Sequence, residues 1–147
     1  DIIINQAITG ANLTLSAGGD VAINAAITGS GTLWIKPENI SNTIGLAGGA
    51  GMLNLSVADL NNITNGWSDI IIGRVDGTGD MTVAARSWTD NLTLRSGSGV
   101  ITVSGAQTMA ANNLTITTDA DIVLSAALTG TGTLTVSQSS VASTLRM

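Results

Sequence analysis

The chain has 147 residues and a net charge of -5; 44% of it is hydrophobic and only 10% charged, with no Cys, His, Tyr or Phe. Five Lys plus Arg are too few for a nucleic-acid surface, which needs clustered basic side chains. No apolar run approaches the roughly 18 residues that span a bilayer, no disulfide framework exists, and the length suits one domain around one core.

Read from the amino end, residues 1–10 (DIIINQAITG) match 20–29 (DVAINAAITG), and 12–35 (NLTLSAGGDVAINAAITGSGTLWI) align without a gap on 113–136 (NLTITTDADIVLSAALTGTGTLTV). Self-similarity at a short fixed period marks a solenoid. The residues preceding each first strand are Asp1, Asp20, Asn42, Asp59, Asp80, Gly99, Asp121 and Ser143, which gives a period near 20 and about seven coils. A second strand follows in each coil, at 13–15, 33–35, 53–55, 70–72, 92–94, 114–116 and 134–136. Alternation turns Leu13 and Leu15 inward and Asn12 and Thr14 outward. No stretch carries helical spacing, and the period is too short for a strand plus a crossover helix.

These features predict an all-β, single-domain parallel β-helix over 1–147, its coils stacked at about 4.8 Å. Gly, Asn and Asp in SAGGD, TGSG, DGTGD, RSGSG and TGTG supply the corners, because they accept left-handed backbone cheaply. Lys36-Pro37-Glu38-Asn39 reads as an outward loop, and the period drifts from there to Asp90, so a specific site is sought in this middle third.

The ~20-residue period, the N-L-T-L and D-[IV]-x-[IL]-x-A strings and the G-x-G-T-L turn resemble the repeats of filamentous-haemagglutinin-type exoproteins along the whole chain, best in 1–35 and 91–136. The resemblance implies a right-handed β-helix, an extracellular or cell-surface location in bacteria, and a structural or adhesive role. The amino-terminal secretion domain typical of that family is not evident in the sequence.

Trp34, outward between Leu33 and Ile35, and Trp67 and Trp88, one coil apart, are the ligand or interface candidates. Exposed indoles on a rigid sheet stack on sugars or anchor a neighbouring rod, so a carbohydrate-binding or carbohydrate-cleaving β-helix is the rival reading. Cleavage would draw on Asp59, Asp69, Asp80, Arg74 and Arg86. Each reads more economically as a turn or surface ion pair; with no His, Cys or nucleophile motif, neither an enzyme nor a catalytic residue is expected.

The column Asp1, Asp20, Asp59, Asp80 and Asp121 has the oxygen chemistry for calcium, but corner Asp more simply makes an Asx-turn before the strand. No metal site and no cofactor is assigned. The N-x-T triplets at Asn12, Asn62, Asn91 and Asn113 belong to the repeat before they read as glycosylation acceptors. An outward Thr14, Thr93, Thr115, Thr135 column is the feature of an ice-binding solenoid, a second alternative weakened by Trp34, Asn54 and Ile71 within the column.

Both termini read as core strands, so the solenoid is expected to continue or to stack end to end through Ile2 and Ile4 at one end and Leu145 and Met147 at the other. Outward Ile3, Ile71 and Val123 offer a face for side-by-side packing. Expected partners are therefore further solenoid or a second copy, with a surface glycan or receptor in addition, and neither nucleic acid nor a membrane span.

Overall fold

The computed structural model describes residues 1–139. The chain winds through six coils whose strands stack in three columns, and every coil but the third contributes a strand to each. The first coil holds β1 (Ile2–Ile4), β2 (Ile8–Gly10) and β3 (Leu13–Ala17), and the second holds β4 (Val21–Ile23), β5 (Ile27–Gly29) and β6 (Thr32–Pro37). The third holds β7 (Ile44–Leu46), β8 (Leu53–Leu55), a single helical turn α1 (Val57–Asn61) and β9 (Asp69–Gly73). The last three are β10 (Met81–Val83), β11 (Arg86–Ser87) and β12 (Leu92–Arg95); β13 (Ile101–Val103), β14 (Gln107–Thr108) and β15 (Leu114–Thr117); and β16 (Ile122–Leu124), β17 (Leu128–Thr129) and β18 (Leu134–Ser137).

Every strand pairing among the described residues is parallel. The third column is one uninterrupted sheet, β3-β6-β9-β12-β15-β18. Its register stacks Leu15, Ile35, Ile72, Leu94, Ile116 and Val136 in one inward ladder. Ile35, Ile72 and Ile116 are fully buried, and each such side chain contributes roughly 1.5–3 kcal/mol of burial. The outward ladder between them reads Thr14, Trp34, Ile71, Thr93, Thr115, Thr135.

Corner side chains tie each coil to the next. Asn12, Asn91 and Asn113 each accept, through Oδ1, the backbone N–H of Thr32, Asn113 and Thr133, all at 2.8 Å. Asp1 accepts from Asp20 N–H and Asp80 from Val100 N–H, also at 2.8 Å. The expected Asx-turn is thus largely replaced by a bond to the following coil. Asp20 also caps its own strand, at Val21 N–H.

The middle third departs from the seven-coil expectation. Residues 53–55 do not lie in the second-strand column: β8 pairs with β7 in the first column, in the register Ile44↔Leu53 and Leu46↔Leu55. It also lies against β4, where Asn54 N–H donates to Asp20 Oδ1 at 2.8 Å. The first column therefore stacks β1-β4-β8-β7-β10-β13-β16, one strand more than the third.

Parallel neighbours usually need a crossover of a dozen residues or more, yet six residues, 47–52, suffice here. Ala47 (φ 56) and Gly48 (φ 104) turn through left-handed backbone, and glycines at 45, 49 and 51 let backbones touch where a Cβ would collide. Ala47 N–H donates to Leu55 O (2.8 Å) and Leu53 N–H to Thr43 O (3.1 Å), closing a nine-residue coil.

Asp59 does not precede a strand. It is the third residue of α1, where its carboxylate pairs with the Ser56 hydroxyl and accepts Ser56 N–H (2.9 Å), while Ser56 Oγ accepts Asp59 N–H (3.2 Å). Such a capping box stabilises one turn that is too short for any periodic signal. Lys36 and Pro37 belong to β6, so the outward excursion begins only at Glu38; Arg74 Nη1 pins it by donating to the Pro37 and Glu38 carbonyls at 3.1 and 2.5 Å.

Candidate functional site

Trp34 stands on the outward face of the third-column sheet and is half-buried. Its register neighbour two residues on is Gly73 in β9, which has no side chain and a φ of +95. The indole therefore folds over that backbone, and Nε1 donates to Gly73 O at 2.8 Å. Two cations lie over the ring: Lys36 Nζ at 3.9 Å and the Arg95 guanidinium at 4.6 Å from its centroid. Lys36 follows Trp34 by two positions on β6, and Arg95 extends the Gly73 row into β12, so the sheet register itself assembles the group.

Asp69 borders this cluster. Thr93 Oγ1 donates to its Oδ2 at 3.1 Å, but burial outweighs that bond and the charge of Arg95, and its carboxyl is pushed above 3.8. Partial burial also lowers the Arg95 pKa, and Arg95 Nε is buried without a partner. The result is a basic, aromatic patch on a chain of net charge -5.

Trp67 and Trp88 are placed differently from the exposed platform the sequence suggested. They are only 3% and 4% exposed, at the corner between second and third columns. Trp67 fills the space over Gly29, where a Cβ would collide with its ring. Trp88 Nε1 donates to the buried Gln107 Oε1 at 2.9 Å. Both indoles are core, because short corners give a large side chain no outward slot. Of the three candidates, Trp34 alone keeps an accessible face.

The charged residues considered for cleavage each hold a separate partner. Asp59 caps α1 and accepts Ile23 N–H (2.7 Å), Asp80 accepts Val100 N–H, and Arg74 pairs with Asp76 at 2.7 Å. Arg86 reaches back to Leu60 O (2.8 Å) and Asn61 Oδ1 (3.1 Å). They do not converge on one cleft. Among the described residues, no group of three acidic side chains gathers as a metal site would require.

At the ends, Ile2 is half-buried and Ile4 only 5% exposed, while Leu145 and Met147 lie outside the described residues. The last coil exposes Leu124 (44%) and Leu134 (48%), although their ladder equivalents Val103 and Leu114 are buried. These two were legible as core positions but not as end positions. On the sides, Ile3 (63%) and Val123 (41%) are exposed and Ile71 is half-buried.

Residues 79–147, slightly less than half of the chain, match the family model described as the hemagglutinin repeat. No curated protein and no solved structure matches the chain. Proteins carrying this repeat are typically secreted or surface-exposed, and no helix among the described residues is long and apolar enough to cross a membrane. The matched repeat over 79–147, with six coils of parallel strands stacked on one aliphatic spine, supports a filamentous-haemagglutinin-like repeat protein.

Proposed function

We infer that the chain is a stiff extracellular rod or fibre element that builds bacterial surface structure or mediates adhesion, and that it has no catalytic activity. The observation that carries this reading is the third-column sheet, in which every coil bonds to its neighbours through an unbroken parallel ladder. Stability in such a stack accumulates along the axis, which suits load-bearing better than a closing cleft.

Self-association is the natural extension. Leu124 and Leu134 expose core-ladder surface at one end, and Ile4 with half-buried Ile2 ends the ladder at the other. Continuation of the solenoid in a longer parent would use the same surfaces. Small-angle scattering at two concentrations, with electron microscopy of the native material, tests this: fibrous material and a mass that rises with concentration are expected. A compact, concentration-independent monomer, unchanged by Leu134→Asp, overturns end-to-end stacking.

A carbohydrate reading survives at one place. Trp34 with Lys36 and Arg95 offers a ring face and positive charge, which favours a glycan bearing carboxylate or sulfate. A glycan array comparing wild type with Trp34→Ala decides it: acidic glycans retained by the wild type and lost by the variant support the site, and equal retention removes it.

A further inference from the structure

The extra strand in the first column leaves a missing rung in the second. There, β2 pairs with β5, and Ile27 of β5 bridges to Ile63. Beyond Ile63 the pairing stops, to resume only with β11-β14-β17. The surplus strand accounts for the break: it lifts β10 by one rung, about 4.8 Å, and β11 begins only three residues after Val83 and rides up with it. Between Ile63–Asn65 below and Ala85–Ser87 above lies an open slot of about 520 Å³, with Val57 and Asn61 at its side.

Both lips carry backbone with nothing to bond: β11 above, and the isolated bridge residue Ile63 with the bend after it below. Thr64 N–H and Asn62 C=O are spent on Ile27 below. Alternation therefore turns Ile63 C=O into the slot, and Asn65, in the bend that follows, carries the next free N–H. Above it, Arg86 and Trp88 donate upward to Ala106 and Thr108, which turns Ser87 N–H down. Among the described residues these groups have no hydrogen-bond partner.

The inner wall is the Arg86 side chain. It occupies the inward register position of Gln107 and Leu128, crosses the gap to Leu60 O and Asn61 Oδ1, and lies 5.3 Å from the Trp88 ring. Its Nε is buried without an acceptor, and no carboxylate pairs with the guanidinium among the described residues.

We propose that this slot accepts an extended peptide segment of another protein as the missing parallel rung, with a short acidic side chain turned inward onto Arg86. The chemistry is that of strand addition, where main-chain bonds on both lips give affinity and one inward pocket gives selectivity. Open strand edges are ordinarily blunted or covered, and here unpaired backbone on both sides faces the cavity of about 520 Å³. The proposal stands independently of whether the rod polymerises.

The test pans a random heptapeptide phage library on the whole chain and maps the enriched peptides by amide chemical shifts on nitrogen-15-labelled protein. Enriched sequences carrying Asp or Glu among β-formers, shifts at Asn65 and Ser87, and at least ten-fold weaker binding to Arg86→Gln are expected. Replacing the peptide's acid by alanine weakens binding comparably in the wild type and little in that variant. Ser87→Pro, at an exposed position that loses only the upper donor, gives the same loss should Arg86→Gln fold poorly. No enrichment, or a footprint at Trp34 or the coil ends, overturns the proposal.

Discussion

Gly45→Ala probes the nine-residue coil, the least expected element of the fold. A Cβ at 45 would sit 2.8 Å from the Ala50 carbonyl carbon and closer still to Gly49 O, all of it backbone. Carbon atoms pack at about 3.5–4.0 Å, so the loop must retreat by roughly 1 Å. Overpacking costs about 1–3 kcal/mol; if the loop yields instead, the Ala47-to-Leu55 and Leu53-to-Thr43 bonds go, at about 0.5–1.5 kcal/mol each. Either route predicts a loss of about 1–3 kcal/mol. Gly48→Ala is the control: nothing lies within 4 Å of its Cβ, and only its φ of +104 opposes it, at about 1–2 kcal/mol. Urea unfolding followed by circular dichroism, with hydrogen exchange at the Ala47 and Leu53 amides, reads both. A Gly45→Ala cost below about 0.5 kcal/mol, or one smaller than that of Gly48→Ala, would refute the tight parallel loop.

Asn113→Ala removes the acceptor for Thr133 N–H and is expected to cost about 1 kcal/mol, read as a lower urea midpoint with unchanged slope. Asp69 is held above 3.8 by burial, so the folded form binds its proton more tightly than the unfolded one; stability is greatest below pH 3.8 and declines as pH rises through the raised value. Asp69→Asn is expected to flatten that decline and raise the melting temperature at pH 7 relative to wild type, and a lower melting temperature there would contradict the assignment. For Asp76, which the Arg74 bond lowers to about 2, the sign reverses: its contribution is present above pH 3.8 and disappears as pH falls toward 2, which an Arg74→Gln titration checks.

How far the residues could be read follows from which interactions are local. Leu13 and Leu33, and then Leu92, Leu114 and Leu134, repeat at steps of 20 to 22 positions with alternation between them, so the inward ladders and the parallel stack needed no coordinates. The Asp and Asn corners were recognised by type, but their bonds run to the next coil, 19 to 22 residues away. Residues 53–55 could not be assigned to a column, because LNL and LTL alternate alike and differ only in which strand lies beside them.

The repeat, its strands and the resemblance that the match over 79–147 supports could be read from the order of residues alone. It took the stacked coils to put Trp67 and Trp88 in the core, to gather Lys36 and Arg95 over Trp34, and to open a slot beside Arg86 through one extra strand. The reason is physical: period and alternation are properties of neighbouring residues, whereas burial at a corner and the count of rungs in each column depend on how whole coils pass over one another.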